Sequence, residues 1–155
     1  MFKDISPVLA NPPLVNRILH SLVDQWKDVS IDAVAGIEAR GFILGSLLAH
    51  ALGKPFILVR KTGKLPYKTL TQEYALEYGT AAIEMHIDSI ERGWNVLVHD
   101  DLLATGGTAQ AAAELVERLG GKTIGFSFLI NLTALPGFNL LHQKYGTRPK
   151  YLVEY

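Results

Sequence analysis

Residues 95–109 read NVLVHDDLLATGGTA, and the order of their parts decides the fold. Val96, Leu97 and Val98 form a short apolar run of the kind that makes a buried strand. Asp100 and Asp101 follow where that strand is expected to end. A loop with Thr105, Gly106, Gly107 and Thr108 comes next, and a helix-forming segment, AQAAAELVERLGG, begins at Ala109. Strand, acidic pair, Gly/Thr loop and helix start together describe a site for a phosphorylated sugar. Glycines let the backbone approach a phosphate closely, and a helix N-terminus offers unpaired N–H groups and a positive dipole end. Thr105 and Thr108 add hydroxyl donors. The two carboxylates can accept from ribose hydroxyls or hold a hydrated Mg2+. A Gly-Gly turn between strand and helix is by itself common, so the weight rests on the ordered string.

Outward from this stretch, the chain reads as βα units. A 3.6-residue apolar period runs through Leu14, Val15, Ile18, Leu19, Leu22, Val23 and Trp26, predicting an amphipathic helix against a sheet. Pro7, Pro12 and Pro13 argue against a continuous helix before it. Residues 31–37 read as a buried strand. GIEARGFILG, residues 36–45, is a strand-to-helix turn carrying Glu38 and Arg40, and the helix after it is apolar almost all round. Arg40 is open to two readings, a structural ion pair with Glu38 or an anion ligand. Residues 56–59 form the next strand.

Residues 60–68, RKTGKLPYK, carry Arg60, Lys61, Lys64 and Lys68 with no acid. Such a run is usually a solvated loop. Following a strand, at the edge where α/β proteins bind ligands, it is also a candidate mobile lid for a polyanion. Residues 69–85 alternate and turn at Tyr78-Gly79, which predicts an antiparallel ribbon or flap. After the central motif come a helix over residues 109–119, a buried strand containing IGFSFLI, a break at Leu135-Pro136-Gly137 and a C-terminal edge strand. The expectation is α/β: a single domain, 1–155, with a mostly parallel sheet flanked by helices.

The bulk properties narrow the function. The chain has 155 residues, 48% hydrophobic and 19% charged, which suits a globular protein with a real core. Its net charge of zero gives no basic field for nucleic acid. The absence of cysteine excludes disulfides and thiolate metal sites. No apolar run approaches the roughly 18 residues of a membrane span, and MFKDISPVLANPP lacks a signal-peptide core. A cytoplasmic protein without membrane partners is expected.

The central string resembles the phosphoribosyl-pyrophosphate signature of type I phosphoribosyltransferases. Over nearly its whole length the chain resembles the adenine phosphoribosyltransferase family. FKDISPVL (residues 2–9) is similar to that family's N-terminal motif, GIEARGF (36–42) to its pyrophosphate loop and LVRKTGKLP (58–66) to its strand and catalytic loop. LEYG (76–79) is similar to its flap motif, and DDLLATGGT (100–108) to its ribose-phosphate loop. The resemblance implies a type I phosphoribosyltransferase fold with an inserted antiparallel flap and catalytic loop. It implies purine salvage, adenine plus phosphoribosyl pyrophosphate giving AMP and pyrophosphate, by a homodimer. Mg2+ would be held mainly through substrate phosphates and ribose, with no side-chain metal cage.

Carried onto this sequence, the resemblance gives Asp100, Asp101, Ala104, Thr105, Gly106, Gly107 and Thr108 to the ribose-phosphate. It gives Ala39, Arg40, Gly41, Arg60, Lys61 and Lys64 to the pyrophosphate, with Arg40 and Lys61 also catalytic. Phe2, Lys3 and Leu103 would meet adenine. Related 6-oxopurine enzymes place a proton-accepting carboxylate three residues after the acidic pair, where this chain has Ala104. The flap then supplies the acid as Glu77, with Tyr78 closing beside it; without the resemblance Glu77 reads as an exposed strand carboxylate. Those enzymes also carry a Lys in the strand after the motif helix, and IGFSFLI has none.

Departures from the family are local. It usually carries further residues before FKDI, so a truncated N-terminal hood is expected. Lys3 replaces a more usual Arg. His99 stands at an apolar strand position, where it reads as a packed, hydrogen-bonded residue. NLTALPGFNL replaces an acidic, Gly-Arg-containing segment. The alternatives left open are a phosphoribosyltransferase for another purine, and a non-catalytic nucleotide-binding regulator on the same fold.

Overall fold

Asn11 accepts a hydrogen bond from Leu14 N, and Pro12 and Pro13 occupy the first turn of the helix it caps. Proline is tolerated there because a first-turn N–H has no intrahelical partner. Helix α2 (Pro12–Trp26) therefore starts ahead of the apolar period, preceded by a four-residue turn of helix, α1 (Ser6–Leu9). The computed structural model describes residues 4–155, so Phe2 and Lys3 lie outside the described residues.

The remaining elements follow in order: β1 (Ala33–Ile37), α3 (Gly41–Ala51), β2 (Phe56–Lys61), β3 (Thr69–Ala75), β4 (Thr80–His86), β5 (Asn95–Leu103), α4 (Gly107–Arg118), β6 (Lys122–Asn131), α5 (Gly137–Tyr145) and β7 (Val153–Glu154). Seven strands make one sheet in the order β3-β4-β2-β1-β5-β6-β7. Pairings among β2, β1, β5, β6 and β7 are parallel, while β3 and β4 form an antiparallel hairpin joined to β2. The expected mostly parallel α/β sheet with an antiparallel insertion is what forms, and β7 is an edge strand as read.

Two apolar clusters fill the two faces. Val34, Leu97 and Leu129 pack with Leu22 and Trp26 of α2 and Leu44 and Leu48 of α3. Ala33, Ala35, Val96, Val98 and Phe126 pack with Ala112, Leu115 and Val116 of α4 and Leu141 of α5. Alternation along β1 and β5 splits the residues between the faces. Burial of β1 on both faces explains its unbroken apolar sequence.

Several sequence boundaries move. β5 does not end at the acidic pair but runs through it to Leu103, because Asp100, Leu102 and Leu103 still pair with β6. Helix α4 starts at Gly107 rather than Ala109. Arg60 and Lys61 belong to β2, in register with Glu84 and Ile83 of β4, so the basic loop is shorter than its composition implied. The break at Leu135-Pro136-Gly137 opens a helix, α5, that the sequence reading did not anticipate.

Candidate active site

The parallel strands β1, β2, β5 and β6 end on one edge of the sheet, and the sequence motifs collect there. The loop after β5 crosses to α4 through Gly106, whose φ of 85° is the left-handed region that glycine adopts without strain. No side chain caps α4, so its first N–H groups remain open to a ligand. Asp100, Leu102, Leu103, Ala104, Thr105, Gly106 and Thr108 line a pocket of about 70 Å3 at this helix end, floored by Phe128.

Gly137 fixes the back of this loop. It donates its N–H to Ala104 O at 3.0 Å. A Cβ added at Gly137 would lie 2.4 Å from Ala104 O and 2.9 Å from Gly106 N. The start of α5 is thus pressed against the phosphate loop. Nothing in the local pattern of NLTALPGFNL announces that contact, which joins segments more than thirty residues apart.

The acidic pair divides its work. Asp101 is 5% exposed and its Oδ2 lies 3.0 Å from Arg40 Nε, a charge contact rather than an aligned hydrogen bond. Asp100 Oδ1 accepts the N–H of Asp101 at 2.8 Å. Burial and then the Asp101 charge push the Asp100 carboxyl well above the usual carboxylate range, against a smaller pull from Arg40. The N-terminal turn of α3 sits directly on this strand end: a Cβ on Gly41 would come within 2.9 Å of Asp100 Oδ1.

Arg40 does not pair with Glu38, which corrects one of the two sequence readings. Glu38 instead takes Arg60 Nε at 2.6 Å and the N–H of Lys61 at 2.9 Å. Burial alone would raise the Glu38 carboxyl, but these bonds and the Arg60 and Lys61 charges hold it below its ordinary value. The Glu38–Ala39 peptide is cis, and Ala39 is exposed beside it. The basic loop is also tied down. Glu84, 3% exposed on β4, accepts from Lys64 N at 3.0 Å, Leu65 N at 2.8 Å and Thr69 Oγ1 at 3.2 Å. Burial alone would raise its carboxyl too; the loop amides and Thr69 outweigh that and lower it. Neither the Lys61 nor the Lys64 ammonium forms a salt bridge among the described residues.

The expected ribbon is the β3–β4 hairpin. Arg118 of α4 donates to Thr71 O at 2.7 Å and Gln72 Oε1 at 3.0 Å, pinning β3 across that helix. Ala75 O would lie 3.6 Å from a Cβ on Gly107. The hairpin tip, closed by Leu76 N donating to Gly79 O, therefore stands beside the start of α4 with Glu77 and Tyr78 exposed.

Leu103 is 1% exposed and packs into the α4-side cluster while also lining the pocket; strand alternation breaks there, and partly exposed Leu102 packs against the opposite cluster. The buried Glu84 was not singled out from sequence, where it is one more carboxylate in an alternating strand. His99 is fully buried, with Nδ1 3.1 Å from Ser127 Oγ, which agrees with the packed, hydrogen-bonded reading.

No group of three or more His, Asp or Glu residues that could hold a metal occurs among the described residues. The nearest candidates, Asp100 and Asp101, are adjacent carboxylates of which one is engaged by Arg40. Two carboxylates so placed can help to hold a Mg2+ ion that also draws on substrate oxygens and water. No helix among the described residues is long and apolar enough to cross a membrane.

The family model for the phosphoribosyl transferase domain matches residues 4–137. An adenine phosphoribosyltransferase of Acidothermus cellulolyticus is 53% identical over 137 residues, covering 88% of this chain and 77% of the relative. The crystal structure of adenine phosphoribosyltransferase from Rhodothermus marinus superposes with a TM-score of 0.92 at 49% identity, over 100% of this chain and 87% of that one. A Giardia lamblia enzyme of the same name, solved with 9-deazaadenine, gives a TM-score of 0.93 at 38% identity, over 99% and 86%.

Proposed function

The chain belongs to the phosphoribosyl transferase family, among its adenine phosphoribosyltransferases, and from that premise we propose how its residues transfer the 5-phosphoribosyl group of phosphoribosyl pyrophosphate to adenine, giving AMP and pyrophosphate. The observation that carries the reading is the pocket of about 70 Å3 at the uncapped start of α4, lined by Asp100 and residues 104–106.

The 5′-phosphate takes the open N–H groups of Gly106, Gly107 and Thr108 and the hydroxyls of Thr105 and Thr108. Asp100 and Asp101 accept from the ribose 2′- and 3′-hydroxyls. Arg40 holds Asp101 in place and, with Ala39 and Gly41, faces the diphosphate. As the C1′–oxygen bond lengthens, positive charge grows on the ribose and negative charge on the leaving diphosphate. Lys61 and Lys64, both exposed and without salt bridges among the described residues, stabilise the diphosphate, supported by Arg60. Bound Mg2+ supplies further neutralisation of that diphosphate charge.

The purine needs a proton acceptor as N9 attacks C1′. Ala104 cannot serve, so Glu77 on the hairpin tip takes that part, with Tyr78 beside it over the ribose. Leu103, with Leu102 beside it, gives the base an apolar contact, and the resemblance assigns Phe2 and Lys3 to the base as well. The Giardia lamblia enzyme was solved with 9-deazaadenine, which supports an adenine-like base as the acceptor. Ile43 and Leu47, one turn apart on α3, are 39% and 37% exposed; a second copy of the chain covering them makes the homodimer. A cysteine-free chain using a phosphorylated substrate fits the cytoplasm.

Purified protein with phosphoribosyl pyrophosphate and Mg2+ tests the reading. AMP and pyrophosphate should appear with adenine and not with hypoxanthine, guanine or xanthine. Turnover of another purine but not adenine would reassign the base. Tight nucleotide binding without pyrophosphate release would make the protein a regulator.

A further inference from the structure

Lys64 is gripped on both sides of its backbone. Its N–H donates to Glu84 Oε1 at 3.0 Å, and its carbonyl accepts from Arg60 Nη1 at 3.1 Å. Arg60 and Glu84 are direct cross-strand partners in the β2–β4 pairing. Opposite charges in that register would ordinarily pair with each other. Here they do not: Arg60 Nε goes to Glu38, and the Glu84 carboxylate turns to the loop.

Glu84 takes Lys64 N and Leu65 N on one oxygen and Thr69 Oγ1 on the other. Those donors stand at the middle and the far end of the basic segment that leaves β2. A buried carboxylate so placed substitutes for an external anion on the loop's amides. It draws the loop backbone inward, while the Lys61 and Lys64 side chains stay exposed. Burying a charge is costly unless it is hydrogen-bonded, and each donor Glu84 meets comes from the loop or its flank. The carboxylate and the loop conformation therefore require each other.

We propose that Glu84 is a positioning residue for the transfer reaction: it clamps the backbone of residues 64–69 so that Lys61 and Lys64 are presented, already ordered, to the diphosphate of phosphoribosyl pyrophosphate. Glu84 touches no substrate. Its effect falls on diphosphate affinity and not on the base, and in this it rests on the reaction proposed above.

Glu84→Gln keeps the shape and an acceptor oxygen but removes the charge, and Thr69→Val removes one outer bond. Limited trypsin digestion of the folded proteins reports the loop directly, through cleavage after Lys61, Lys64 and Lys68. Glu84→Gln should be cut at least roughly tenfold faster there than the parent, from the loss of charge-assisted bonds. The KM for phosphoribosyl pyrophosphate should rise by a similar factor, with the KM for adenine within about twofold of the parent. Thr69→Val should move the same quantities in the same direction by less. A folded Glu84→Gln with parental cleavage and parental KM for phosphoribosyl pyrophosphate overturns the proposal, as does an equal rise in both KM values. Where Glu84→Gln does not fold, Thr69→Val decides: parental values in both readouts reject the clamp. Absence of adenine turnover in the parent would reject the functional reading alone, because the trypsin measurement needs no activity.

Discussion

Arg40 Nε lies 3.0 Å from Asp101 Oδ2, and this contact ties the turn after β1 to the acidic end of β5. Removing the guanidinium leaves a nearly buried carboxylate without its cation. Because about a third of Arg40 is exposed, water recovers part of the loss, and Arg40→Ala should cost about 1–2 kcal/mol. Thermal melts of Arg40→Ala, Asp101→Asn and the double variant measure it. The double variant should lose less than the sum of the singles. Additive losses would show that the two side chains do not depend on each other.

Glu77 sits on the exposed hairpin tip, so its replacement should leave folding unchanged and fall on the chemistry. Glu77→Gln should lower kcat by about a hundredfold or more, the usual reach of a general base. The KM for phosphoribosyl pyrophosphate should stay within about twofold. Steady-state kinetics with adenine decide it, and unchanged turnover removes Glu77 from the mechanism.

Gly137→Ala tests the support behind the phosphate loop. The new Cβ would fall 2.4 Å from Ala104 O, which is backbone and cannot swing away. Relief requires the loop or α5 to shift, at about 1–3 kcal/mol. Affinity for ribose 5-phosphate, followed by calorimetry, should fall at least roughly tenfold. Parental affinity would mean that α5 does not set the loop.

The pieces that sequence makes legible are those whose chemistry is local. DDLLATGGT carries its loop, its glycines and its donors within nine neighbouring positions. β1 is apolar throughout because both faces are covered. What stays hidden depends on distant partners. Glu38 and Arg40 are neighbours in sequence, yet each is claimed from across the sheet, by Arg60 and by Asp101. Leu102 and Leu103 are the same residue type and both line the pocket, and only a break in strand alternation sends them to opposite apolar clusters. Pro12 and Pro13 look like a helix barrier until Asn11 caps them into a first turn.

His99 makes stability pH-dependent. Burial holds its pKa at about 4, below the ordinary 6.5. The unfolded chain gains a proton below pH 6.5 that the folded chain refuses, so stability is full above 6.5 and is lost as pH falls toward 4. Across that window the loss is about 3 kcal/mol. Urea melts at pH 7.5 and pH 4.5 should show it, and His99→Val should flatten the slope. An equally steep slope in His99→Val assigns it to other groups.

Asp100 works in the opposite sense. Burial first, and the Asp101 charge second, raise its pKa well above the ordinary 3.8. The folded chain therefore holds this proton to higher pH than the unfolded chain does. Its favourable contribution is complete below 3.8 and is lost as pH rises through the folded value. At neutral pH this buried acid is a cost to folding, retained for its two oxygens toward the ribose hydroxyls. Asp100→Asn removes that cost while leaving a side chain of the same shape. Its stability in urea at pH 7.5 should exceed that of the parent, and the gain should shrink toward pH 4. Binding of phosphoribosyl pyrophosphate, measured by calorimetry, should weaken at the same time. A variant less stable than the parent at pH 7.5 would show that the carboxylate supports the fold, and that the acidic pair is not a strained site held open for its ligand.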